Sequence, residues 1–199
     1  MTHQDRQGPE MSMQSESRKK GRRRGLLALF LRNRSGSTAI EFTLLSIPFA
    51  MLVFAILETC ISFASQQVMA NITDDIAREI RTGQLKPGPQ LTEAALKQKI
   101  CDRLDIIVAE GCPGLEVDLR EFPTFAAAAT VRIKLVDGDI DTTNFYPPTP
   151  GKSMSINMLR VFYRWPVITD FMSKLISNLK DGKTLHFATV TWKNEPFDD

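Results

Sequence analysis

Arg32–Glu58, RNRSGSTAIEFTLLSIPFAMLVFAILE, decides how this chain is read. Basic residues give way to a small-residue step, Ser35-Gly36-Ser37-Thr38-Ala39, and then to Glu41 at the mouth of an apolar run. From Phe42 to Ala64 the run is twenty-three residues long, with Glu58 and Cys60 its only ionisable side chains. As a helix rising about 1.5 Å per residue it reaches about 34 Å, enough to cross a hydrocarbon core of about 30 Å. A secretory signal has an apolar region of only about 7–15 residues, with small residues after it at the cleavage site. Here the run is longer and the small step precedes it, so the stretch predicts a retained membrane helix.

Working outward, the formal net charge of +2 conceals a split. Residues 1–36 carry nine Lys or Arg against three Asp or Glu, whereas residues 37–199 carry sixteen against twenty. A sharp asymmetry of this kind marks a tail or targeting segment. The leader, residues 1–36, is densest at Arg18-Lys19-Lys20-Gly21-Arg22-Arg23-Arg24 and has no apolar periodicity before Leu26, so it is expected to be disordered in isolation. Clustered cations can bind nucleic acid by releasing counterions. Basic residues within about 15–20 positions of a span also hold that end in the cytoplasm. With an apolar run directly downstream, the topological reading is preferred and no nucleic-acid partner is expected. Gly25–Leu31, GLLALFL, is too short to span and suits a headgroup layer.

Two features interrupt the run. Pro48 removes a helix hydrogen bond and predicts a kink. Glu58 lies towards the far interface, where it reads either as an acid reaching water or as a contact with another helix. Beyond the span the helical pattern continues through Ile61, Val68, Ile72, Ile76 and Ile80, and Gly83, Pro87, Gly88 and Pro89 end it. One helix over about 38–82 is expected, first lipid-embedded and then an amphipathic stalk.

Residues 84–199 read as an α+β domain. A helix is expected over Leu91–Ala109, with Thr92 as candidate N-cap and Leu96, Ile100, Leu104 and Ile107 as its apolar stripe. Strands are expected at Leu115–Leu119 and Val131–Leu135 by alternation, and at Ile156–Tyr163 and Leu185–Trp192 by β-branched and aromatic content. Val167–Leu179 has helical spacing, and Tyr146–Gly151 is a Pro-rich break. The alternation predicts an antiparallel sheet with one wet face. Cys101 and Cys112 fall on the non-cytoplasmic side, where disulfides persist, and a turn at Gly111 would let them meet. Metal binding is the alternative, although His3 and His186, the only histidines, lie far away in sequence. Cys60 reads as a small apolar residue.

The search for chemistry is negative. There is no Walker A loop, no G-x-G-x-x-G after a strand, no H-E-x-x-H and no nucleophile elbow. Asp137-Gly138-Asp139-Ile140-Asp141 has the alternating oxygens of part of a calcium loop without the remaining ligands, so a solvated turn is preferred. No enzyme activity, catalytic residue, metal or cofactor is expected.

Gly36-Ser37-Thr38-Ala39-Ile40-Glu41-Phe42 resembles the cleavage region of type IV prepilins, and most closely that of the TadE-like pseudopilins of tight-adherence (Flp-type) pili. Arg81-Thr82-Gly83-Gln84, the Cys101/Cys112 pair, Tyr163-Arg164-Trp165-Pro166 and Asn194-Glu195-Pro196-Phe197 are also similar to TadE/TadG-like sequences. The resemblance implies a pilin-like domain on a long transmembrane and stalk helix, residues 37–83. It implies a minor pseudopilin cut by a prepilin peptidase between Gly36 and Ser37, with Glu41, five residues past the cut, and Phe42 serving processing and assembly. The implied partners are that peptidase, other pseudopilins and pilus assembly proteins, and inner-membrane lipid, with the domain periplasmic. An uncleaved single-span anchor of the same apparatus is the alternative.

Overall fold

Helix α1, Ser37–Arg81, dominates the computed structural model, which describes residues 36–86, 88, 91–145 and 148–198. The basic leader up to Ser35, the Gly25–Leu31 patch, and Pro87 and Pro89 lie outside the described residues. The chain divides into two compact units at Leu52/Val53. In the first, α1 is apolar and exposed all round, Phe42, Leu45 and Phe49 among its side chains. Its hydroxyls are satisfied within the helix: Thr43 Oγ1 donates to the Ala39 carbonyl (2.8 Å) and Ser46 Oγ to the Thr43 carbonyl (3.1 Å). That is how polar side chains are accommodated where water is absent. The α1 helix continues through Pro48 without interruption. By length and composition it is long and apolar enough to cross a membrane.

In the second unit the rest of α1 packs against helix α2, Glu93–Leu104, and an antiparallel three-stranded sheet. Thr92 caps α2 as expected, its Oγ1 accepting from the Ala95 amide at 3.1 Å. The helix ends earlier than its apolar pattern implied, because the chain turns after Leu104 and leaves Ile106 86 % exposed. Strand β1, Leu115–Phe122, follows, then a one-turn helix α3, Phe125–Ala129, capped by Thr124. The short strands β2, Leu135–Val136, and β3, Asp139–Ile140, form a hairpin. Strand β4, Ile156–Trp165, leads to helix α4, Asp170–Ile176, and then to strand β5, Thr184–Lys193.

The sheet order is β1-β4-β5, with Val117 opposite Val161 and Val161 opposite Ala188. This register puts Leu115, Val117, Leu119, Leu159, Val161 and Tyr163 on one face, against Met69, Ile72, Ile76 and Ile80 of α1 and Leu96, Ile100 and Leu104 of α2. The expected wet face is partly covered. Phe162, Ile140, Leu179 and Leu185 form a second cluster there, and Asp118 and Arg160 are buried beside it. Both Nε and Nη2 of Arg160 donate to Asp118 Oδ2 (2.8 and 2.5 Å), and its guanidinium lies 5.3 and 5.6 Å from the Phe145 and Phe162 rings. Alternation alone could not reveal this, since a buried ion pair in a central strand has the same pattern as a solvated one.

The strand expected over Val131–Leu135 is mostly absent. Only Leu135 and Val136 pair, because Asp137 (φ 53°) and Gly138 (φ 79°) form a tight two-residue turn directly after them. The acidic run is therefore a hairpin: Asp139 pairs with Arg164 (2.9 Å), and Asp141 accepts from the Thr143 amide (3.0 Å). Cys101 and Cys112 are disulfide-bonded, with Cα atoms 5.7 Å apart, across the turn at Gly111 (φ 77°). Closing so short a loop stabilises the fold by about 2–3 kcal/mol in the chain-entropy account.

Candidate processing and assembly site

Gly36 immediately precedes α1 and is exposed. A Cβ built on it meets no described atom within 4 Å, and its φ is not in the left-handed region. The fold itself makes no demand for glycine at this position; a glycine here offers unhindered backbone to a cleft in another protein. Gly83 is the opposite case. Its φ is 71°, a Cβ there would fall 2.6 Å from the Phe197 ring, and it closes α1 by donating its amide to the Ile80 carbonyl.

Ser37 is the first residue of α1, and Glu41 and Phe42 lie just over one turn further on. Both are exposed, Phe42 to 72 %. The first turn of α1 has no acidic residue, so Glu41 is the first carboxylate next to the helix's positive end. Gly36, Ser37, Glu41 and Phe42 thus come together as a short peptide segment opening onto an exposed apolar helix. Among the described residues no group of three or more His, Cys, Asp and Glu could hold a metal ion.

Along the same helix a second set of polar residues fastens α1 to the domain. Glu58 is buried, 5 % exposed, and is neither a water-facing acid nor a contact with a separate long helix. Its Oε1 accepts from the Ile168 amide (2.5 Å) and the Thr169 amide (3.3 Å), and its Oε2 accepts from Thr169 Oγ1 (2.5 Å). Thr169 is the N-cap of α4, so a carboxylate from α1 reinforces the start of α4. One turn on, Ser62 Oγ lies 3.0 Å from His186 Nε2 and Ser65 Oγ 3.2 Å from Nδ1, while the imidazole stacks on Trp165 at 5.2 Å. Burial pushes the His186 imidazole down to about 4, so it is neutral at physiological pH. Gln66 Nε2 then donates to the Phe187 carbonyl on the edge strand β5 (2.6 Å).

Further along, Glu79 is held by Lys99 (2.8 Å) and Arg103 (2.7 Å) of α2. Burial pushes its carboxyl up, but the hydrogen bonds and charges of these two cations outweigh it and keep it below the ordinary value. The end of α1 is tied to the chain terminus. Arg81 pairs with Glu195 at 3.1 Å, and the Glu195 amide donates to the Arg81 carbonyl. The Arg81–Gln84 and Asn194–Phe197 stretches, far apart in sequence, therefore meet here.

Sequence reasoning missed the fastening role of Glu58, Ser62, Ser65 and His186. The signal was present: residues 58, 62, 65 and 69 follow a 4-3-4 spacing that runs on into the buried Ile72, Ile76 and Ile80. Of the face expected through Ile61 and Val68, Ile61 is 49 % exposed, whereas Val68 packs half-buried against the core beside the buried Met69. The span expected to run uniformly to Ala64 is also modified. From Glu58 onward one face of α1 is taken by the domain, while Ile61 and Phe63 stay exposed on another.

Residues 36–78 match the family model described as TadE-like protein, which covers about a fifth of the chain and begins at Gly36. No curated protein and no solved structure matches the chain. The matched segment is thus similar to TadE-like proteins, and it takes in the part of α1 that is long and apolar enough to cross a membrane.

Proposed function

We propose that this chain is a minor pseudopilin, a structural and assembly component of a tight-adherence pilus, cut by a prepilin peptidase between Gly36 and Ser37. The observation that carries this reading is that Gly36 is a glycine the fold does not require, placed where the family match begins and five residues before Glu41. The basic leader holds the N-terminus in the cytoplasm, where the cut is made, and the domain lies across the membrane. The Cys101–Cys112 bond supports an oxidising compartment for the domain.

A cut there exposes an α-amine on Ser37, a little over one turn from Glu41. In an assembly the carboxylate pairs with the amine of a neighbouring subunit, offsetting the burial of both charges. The exposed apolar surface of α1 from Ile40 to Leu57 is held by lipid before assembly and by other pilus subunits after it. The role is structural, not catalytic.

Gly36→Val tests the proposal, because a Cβ at this position meets no described atom within 4 Å and the fold does not require glycine there. The variant is expected to keep its disulfide and thermal stability while accumulating with its leader attached and failing to support pili. Normal cleavage and normal pili in this variant would sink the proposal.

A further inference from the structure

The domain exposes a compact apolar surface that the pilus assignment leaves unexplained. Ile168, Phe171 and Leu175 are 71 %, 58 % and 66 % exposed. Phe171 and Leu175, four apart, share one face of α4 with Lys174 on the same side, Asp170 stands at the helix start, and Ile168 lies just before the Thr169 cap. Two large apolar side chains on one short helix and a third directly before its cap, all exposed, are a patch that calls for a partner.

The position of this patch identifies the partner. Glu58 of α1 hydrogen-bonds the domain at Ile168 and Thr169, directly before and at the cap of α4. Ser62, Ser65 and Gln66 bind β5 one to two turns further from the apolar run. The start of α4 is therefore the part of the domain level with the end of the membrane-spanning stretch, directly after Phe54, Ile56 and Leu57. At that same level α1 itself leaves Ile61 and Phe63 exposed, 49 % and 71 %.

We infer that Ile168, Phe171 and Leu175, with Ile61 and Phe63, form an interfacial collar that seats the domain in the headgroup and upper acyl layer of the leaflet from which α1 emerges. The inference rests on the membrane-anchored reading of α1. An apolar helical face beside a basic residue suits that layer, the apolar groups entering the acyl boundary and the Lys174 ammonium meeting lipid phosphates. Glu58 belongs to the same device. By capping α4 from α1 it fixes the height of the collar relative to the span, and it satisfies its own charge without facing lipid.

The test uses the full chain with Cys60→Ser, reconstituted in vesicles of phosphatidylethanolamine and phosphatidylglycerol, with spin labels at Leu175→Cys, Leu52→Cys and Thr189→Cys. Accessibility to molecular oxygen, which concentrates in lipid, is compared with accessibility to a water-soluble nickel chelate. The expected oxygen-to-nickel ratio is highest at position 52, several-fold lower at 175, and several-fold lower again at 189. Ile168→Ser with Phe171→Ser should bring position 175 down to the level of 189 and leave 52 unchanged. A ratio at 175 equal to that at 189, with 52 still in lipid, overturns the collar and spares the span. A water-exposed label at 52 overturns the anchoring and the collar with it. Spin–spin broadening at 175 that grows with the protein-to-lipid ratio, without oxygen access, shows a second copy on the patch and also overturns the collar.

Discussion

At the residue scale, the structure turns on a few polar side chains placed at the edge of an apolar environment. Glu58 shows this most plainly, since its three hydrogen bonds reach across to the backbone and hydroxyl at the start of α4. Glu58→Ala leaves the Ile168 and Thr169 amides without that acceptor and is expected to cost about 2 kcal/mol, a figure typical of stranded buried donors. Urea unfolding in detergent measures it, and an unchanged midpoint would mean that water replaces the carboxylate. His186 gives a pH signature. Its imidazole is lowered from 6.5 to about 4 by burial, so the unfolded chain takes up the proton first. Its contribution to stability is complete above pH 6.5 and is lost as the pH falls from there towards 4. A thermal melting series across that window should show the loss, and His186→Gln should flatten the slope, with Ser62 and Ser65 still able to bond the amide.

At the element scale, α1 serves two environments in one helix. Its first half is apolar on every side, and its second half presents a stripe that begins polar at Glu58, Ser62 and Ser65 and becomes apolar at Met69, Ile72, Ile76 and Ile80. The existence of this helix and the three long strands was legible in the sequence, because length, unbroken apolarity and β-branched runs are local signals. What lay beyond it depends on distant partners. Glu58 gains its role from residues 168–169, His186 from Ser62 and Ser65, and Asp118 from Arg160. Gly36 and Glu41 stand out in the sequence for a different reason: in the proposed function they form a processing segment, which another protein reads as a linear string. The stop of α1 is sharply specified. Gly83→Ala forces a Cβ into the Phe197 ring at positive φ, and it is expected to lower stability by at least about 1 kcal/mol, seen as a drop in Tm. Reduction of Cys101–Cys112 should cost about 2–3 kcal/mol by the loop-closure argument, measured as the difference between oxidised and reduced unfolding midpoints.

At the scale of the whole molecule, charge and apolarity are laid out in sequence order: a basic leader, an apolar helix, and a weakly acidic α+β domain closed by a disulfide. Each part suits a different phase, with the join between the first two at Gly36. Glu41→Gln is expected to reduce pilus assembly strongly while leaving the domain's melting temperature unchanged, since Glu41 belongs to the exposed apolar start of α1. Pilus yield and thermal melting of the same preparation check both halves of that statement. The central claim is the cut itself, and an intact mass with N-terminal sequencing of the membrane-extracted protein tests it most directly. A mature chain beginning at Ser37 is the predicted result; a chain that keeps the basic leader through Gly36 in cells making normal pili would contradict it.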